Sequence, residues 1–152
     1  MTAGAEGLAK DVRTLVEQVD YGTLSTLADG GIPFGSLVGY AVDAAGCPLL
    51  FVSSLAEHTK NVHRDPRASL LVVARGEAPL EGARATLMGT IVAAPPEERA
   101  TLLARYLVRH PSAARYAAFS DFGFYRLVPS RIRYVEGFGV MGFVTGADYT
   151  RA

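Results

Sequence analysis

From residue 20 onward, tight-turn signals cut the chain into short apolar runs, and this punctuation constrains the fold more than any other feature. Asp29-Gly30-Gly31 separates two strand-like runs, 21–28 and 33–42, as a hairpin turn would. A second turn over 43–48 carries Gly46 and leads into 49–52, whose unbroken apolar character suits a strand covered on both faces. Further strands are expected at 68–74, 83–92, 122–128, 131–136 and 140–144, with Gly89 marking a bulge in the second of these. Helical spacing is confined to a few places. Leu8, Val12, Leu15, Val16 and Val19 mark an amphipathic helix over 6–19, and 57–64 reads as a short polar helix closed by Asp65-Pro66. Pro95-Pro96-Glu97-Glu98 opens a helix whose apolar face is Leu102, Leu103, Tyr106 and Leu107. His110-Pro111 stops it, with His110 expected as a C-terminal cap, and a short helical piece follows at 113–116. Seven or eight strands joined mainly by tight turns predict a mainly β (α+β) domain over 1–152. Its architecture would be an antiparallel barrel with flanking helices.

Charge narrows the partners. Fifteen basic and fifteen acidic side chains cancel, so neither a nucleic acid nor an anionic membrane surface has an electrostatic driver here. The lone cysteine, Cys47, asks for no oxidising compartment. Residues 1–8 hold no basic and apolar run of the secretory kind, and no apolar stretch approaches the roughly 20 residues that span a bilayer. A cytoplasmic protein is expected, with a small ligand or a like chain as its partner.

Most catalytic templates are missing: no phosphate loop, dinucleotide fingerprint, paired CxxC or GxSxG elbow occurs. His58 and His63 are five residues apart, about 140° around a helix, so they do not chelate one ion from one face. The informative stretch is 51–72. A buried strand ends in Ser53 and Ser54, and a helix then starts with His58, Thr59, Lys60 and Asn61, followed by Arg64 and Arg67. Hydroxyls, a helix start and cations suit a small anion such as a phosphate or a propionate. Read without a ligand, Ser54 caps the helix, and Lys60 and Arg64 form a solvated i,i+4 face.

Leu55-Ala56-Glu57-His58-Thr59-Lys60-Asn61 and Asp65-Pro66-Arg67-Ala68-Ser69-Leu70-Leu71 resemble the split-barrel superfamily of pyridoxamine 5′-phosphate oxidase. More closely they resemble its heme-utilisation branch, the HugZ-type proteins. Arg109-His110-Pro111-Ser112-Ala113, Phe119-Ser120-Asp121-Phe122, Tyr125-Arg126-Leu127 and Gly137-Phe138-Gly139 are similar to the same branch, so the resemblance runs over about 20–145.

The resemblance implies a homodimer of six-stranded split barrels with a planar redox cofactor at the subunit interface, heme first and FMN second. It would place Phe34, Gly35 and Ser36 along a flat ring, with Gly35 giving close backbone approach. In flavin-binding relatives an Arg-Lys pair at the helix start holds the phosphate; here the matching positions are Glu57-His58, which weakens FMN. For heme, His58 would be the iron ligand with His63 behind it, and Lys60, Arg64 and Arg67 would meet the propionates. The chain ends at Ala152, before the extension in which HugZ-type proteins carry their heme ligand, so binding is expected ahead of degradation. Met141, Phe143 and the Tyr116, Phe119, Phe122 group are expected in the core or a dimer contact, and Gly137-Phe138-Gly139 as an interface turn. A flavin oxidoreductase and a cofactor-free dimeric interaction protein remain the rival readings.

Overall fold

The computed structural model describes residues 4–137 and 139–152. One helix precedes the sheet. In α1 (Ala5–Gln18) the apolar stripe Leu8, Val12, Leu15 and Val16 is buried, each side chain contributing roughly 1.5–3 kcal/mol. The strands that follow are β1 (Tyr21–Leu27), β2 (Pro33–Gly39), β3 (Ala41–Val42) and β4 (Pro48–Ser53). Next come α2 (Glu57–Arg64), β5 (Arg67–Val73), β6 (Ala83–Ala93), α3 (Arg99–Arg109), β7 (Phe122–Glu136), β8 (Val140–Thr145) and α4 (Gly146–Arg151).

The eight strands form one antiparallel sheet in the order β2-β1-β5-β6-β7-β4-β3, with β8 also paired to β7. It is curled into a half-barrel with flanking helices. The barrel interior holds the main core, including Leu24, Leu50, Leu70, Leu87, Leu127 and Ile132, into which α1 and Tyr149 of α4 pack. A second core lies against the other face of one end of the sheet, where Leu49, Phe51 and Phe124 meet Leu102 and Tyr106 of α3.

Three expectations change. Residues 33–42 divide at Tyr40, which leaves the pleat to bury its ring and donate its hydroxyl to the Val16 carbonyl at 2.7 Å. Residues 122–136 form one strand rather than two. Pro129 does not end it, because the ladder to β6 continues past a bulge: Met88 pairs with Arg131 and Gly89 with Pro129, leaving Ser130 as the extra residue. The side-chain alternation of β7 slips by one there. Tyr125 and Leu127 face the barrel interior before the bulge, and Ile132 and Tyr134 after it. The bulge expected at Gly89 is thus present, with its extra residue on the partner strand. Finally, α4 adds a helix that the reading of the strands did not include. Thr145 caps it by accepting from the Asp148 amide at 3.1 Å.

Candidate functional site

The residues expected to form one site divide among four places. In β2, Ser36 pairs with Leu24 and Phe34 with Thr26, so both point to the side of the sheet where α2 packs. There Asn61 donates to the buried Thr26 hydroxyl at 3.0 Å, and Ser36 Oγ lies 3.3 Å from His58 Nδ1. Gly35 points the other way, outward, and Arg67 shares that outward face. Lys60 and Arg64 lie on the exposed side of α2. Ser53 and Ser54 close β4 at Asp121: the Ser53 hydroxyl donates to its carboxylate at 2.6 Å, and the Ser54 amide to its carbonyl at 2.8 Å. Ser54 caps no helix; the N-cap of α2 is Ala56, and the Ser53 hydroxyl accepts instead from the Leu55 amide at 3.1 Å.

His58 turns inward. Its Nε2 is fully buried without a hydrogen-bond partner, as is Oγ1 of Thr59. Both side chains line a small cavity of about 10 Å³ with Leu24, Leu50, Val52, Val62, Ile91 and Tyr125. That is space for about one water. Burial lowers the pKa of the ring below its ordinary value. As the ring stands, Nε2 is enclosed by protein and Nδ1 faces Ser36 Oγ, so iron ligation through Nε2 would require the His58 ring to turn.

The other two histidines are also engaged. His63 is exposed, with Nε2 3.0 Å from the Tyr125 hydroxyl. His110 closes α3 through its amide, 3.0 Å from the Tyr106 carbonyl, as expected of a cap. Its buried ring donates from Nε2 to the Tyr40 carbonyl at 2.8 Å.

The cations of the helix region are committed. Lys60 holds Glu57 at 3.3 Å, and Arg64 donates to Asn61 Oδ1 at 3.0 Å. Arg67 grips Asp65 at 2.6 Å, and this hydrogen bonding pushes the Asp65 carboxyl down to about 2. Among the described residues no cluster of His, Cys, Asp and Glu is built to hold a metal ion.

A different surface emerges from the strand register. One outward row crosses the sheet as Leu37, Thr23, Leu71, Thr86, Arg133 and Phe143, and the next as Gly35, Ser25, Ser69, Met88, Arg131 and Thr145. Neither row contains an acidic residue. Leu37, Leu71 and Phe143 are exposed, and so is Met141 beside them. Met141 and Phe143 therefore do not belong to the core of this chain. Tyr116, Phe119 and Phe122 form a separate stacked cluster beside the second core, with Tyr116 and Phe119 exposed. Phe138 of the Gly137-Phe138-Gly139 turn lies outside the described residues. The residues that sequence reasoning missed are Arg131 and Arg133; their i,i+2 spacing on a strand was the available signal.

Comparison with known proteins fits this architecture. The chain is 41% identical over 130 residues to the non-canonical heme oxygenase HOZ, chloroplastic, of Arabidopsis thaliana; the match covers 84% of this chain and 40% of that protein. It superposes on the structure of a heme binding protein from Mycobacterium smegmatis with a TM-score of 0.90 and 37% identity. That alignment covers all of this chain and 62% of the other. Campylobacter jejuni ChuZ, at 14% identity and a TM-score of 0.84, shares the fold. The chain thus spans less than two thirds of the length of each of these relatives. A family model described as CREG, beta-barrel, matches residues 4–151, and the chain belongs to that family of split barrels.

Proposed function

We propose that this protein binds heme as a homodimer and serves heme utilisation, holding the flat ring against the outward face of its sheet. The observation that carries the reading is that face: two adjacent six-residue rows with exposed Leu37, Leu71 and Phe143, two arginines and no carboxylate. A porphyrin presents an apolar ring and two carboxylates, and an acid-free apolar face desolvates the first without repelling the second. Two relatives named for heme, at 41% and 37% identity, support the same ligand. A second copy would supply the other wall, since an open sheet leaves one side of the ring in water. The reading stops at binding, because heme oxygenase is the name of a relative of which this chain spans 40%. The protein is taken as cytoplasmic, with no nucleic-acid or membrane partner. The zero formal charge supports the lack of a polyanionic partner, and no described helix is long and apolar enough to cross a membrane.

FMN is the weaker ligand. Lys60 and Arg67 would have to release Glu57 and Asp65 before meeting a phosphate. The test is titration of the purified chain with hemin and, separately, with FMN, followed by absorbance, with light scattering for the dimer. A saturable Soret band is expected. Saturable FMN binding weakened by Lys60→Ala, with no hemin response, would establish the flavin reading instead. Failure of both at micromolar concentration would leave a cofactor-free interaction protein.

A further inference from the structure

Seven of the fifteen basic side chains hold a carboxylate. Five more donate to backbone or amide oxygens. Among the described residues this leaves Lys10, Arg131 and Arg133. The two arginines share one aromatic ring: their guanidinium carbons lie 3.7 Å and 4.9 Å from the centre of Phe143. Phe143 is itself half exposed at 49%.

The arrangement follows from strand geometry. Arg131 and Arg133 are two residues apart on β7, so both project outward with backbones separated by about 7 Å, and the register sets Arg133 directly opposite Phe143. Stacking on the ring restrains two otherwise floppy side chains and leaves their N–H edges free. Each guanidinium offers five donors in a fork that matches a carboxylate. Two like charges this close repel, and no acid on either outward row relieves them. An anion does.

We infer that Arg131 and Arg133, stacked on Phe143, form the cationic end of the ring site and take the two propionate carboxylates of the tetrapyrrole. This rests on the heme reading and replaces Lys60, Arg64 and Arg67 as the propionate anchors. The apolar part of the ligand then lies along Leu71 and Leu37 in the same row as Arg133. Because the contact is to carboxylates and not to iron, metal-free porphyrin is recognised equally.

The test uses three probes, hemin, protoporphyrin IX and protoporphyrin IX dimethyl ester, by absorbance and fluorescence quenching. The proteins are the wild-type chain, Arg131→Gln, Arg133→Gln, the double variant and Arg67→Gln. Each single variant is expected to weaken both free-acid porphyrins about tenfold, and the double variant more, at charge-assisted hydrogen-bond strength. Arg67→Gln leaves affinity unchanged, and the ester binds weakly and alike to all proteins. Circular dichroism checks folding; Arg133→Lys, which keeps the charge but loses the fork, is expected to fall between wild type and Arg133→Gln and serves if a Gln variant melts early. If a folded double variant binds protoporphyrin within twofold of wild type, or if the ester loses as much affinity as the acid, the anchor assignment is overturned while heme binding stands. If the wild-type chain takes neither hemin nor protoporphyrin, the functional reading itself falls, and the anchors with it.

Discussion

Replacing Gly89 by alanine is expected to be among the most damaging single-methyl changes in this chain. An ideal Cβ at Gly89 would stand 2.0 Å from the Val128 carbonyl oxygen, 2.8 Å from its carbon and 2.9 Å from Pro129 Cα. Ordinary contact starts at 3.4 Å, so the shortfall to the oxygen is about 1.4 Å. All three obstacles are backbone, and none can swing aside as a side chain would. Relief requires β6 and β7 to separate at the bulge, stretching neighbouring hydrogen bonds past the roughly 3.2 Å limit of a good N–H···O contact. The other side is closed as well, because a Cβ at Gly146 would meet the Pro129 carbonyl oxygen at 2.0 Å. Overpacking of this kind costs about 3 kcal/mol or more. For a chain of this length that lowers Tm by about 6–12 °C. Urea denaturation should show a lower midpoint with the same slope, confirming loss of stability and not of cooperativity. Gly35→Ala is the control, since its Cβ would touch only the Thr23 methyl at an ordinary 3.6 Å. A Gly89→Ala variant within 0.5 kcal/mol of wild type, roughly the range of a neutral surface change, would refute the packing described at the bulge.

Other outcomes are expected from the same reasoning. Burial holds the His58 pKa below 6.5, so the unfolded chain takes up its proton first and stability falls as pH drops below 6.5. The slope stays under about 1.4 kcal/mol per pH unit because one ring exchanges at most one proton. His58→Gln should flatten that part of a pH-resolved urea series. Thr59→Val removes a buried hydroxyl that has no partner, so urea midpoints should stay level or rise, by up to about 1 kcal/mol. Tyr149→Phe deletes a buried hydrogen bond of 2.6 Å to the Gly46 carbonyl and should cost about 1 kcal/mol in the same assay. Cys47 is buried, and that burial pushes its thiol up to about 11. Labelling by a thiol reagent at neutral pH should be slow in the folded protein and fast in urea.

The elements legible in the sequence are those with an uninterrupted period. The α1 helix and β1 lie within a residue or two of their expected places and β2 starts where expected, because spacing alone specifies them. Where the fold departs from the reading, a local signal was overruled from a distance. Pro129 looks like a strand end, yet β6 carries the ladder past it. The helix beyond residue 144 is different: it carries its own local signal, the Thr145–Asp148 cap, which the strand pattern of 140–144 hides. The candidate site follows the same rule. Consecutive residues of a strand face opposite ways, so Phe34, Gly35 and Ser36 do not line one pocket. The residue types that suit an anion were visible around α2, but their pairing with Glu57, Asn61 and Asp65 was not. Arg131 and Arg133 acquire meaning only through the register that sets Phe143 beside them, and that register is fixed by strand pairing outside any local window.

Ser130 also decides how β7 responds to changes of length. Because it is the surplus residue in the pairing with β6, deleting it would leave Met88 opposite Arg131 and Gly89 opposite Pro129. Each half of the strand would keep its present facing, and the loss would be absorbed as a straightened ladder. Deleting Ile132 instead would draw Ser130 into the ladder opposite Met88 and place Arg131 opposite Leu87, a cation at an interior position that an apolar side chain now fills. A strand that carries one surplus residue has, in effect, a splice point there. Deletions in β7 should therefore be tolerated best at residue 130 and cost more where they turn a polar side chain into the barrel interior.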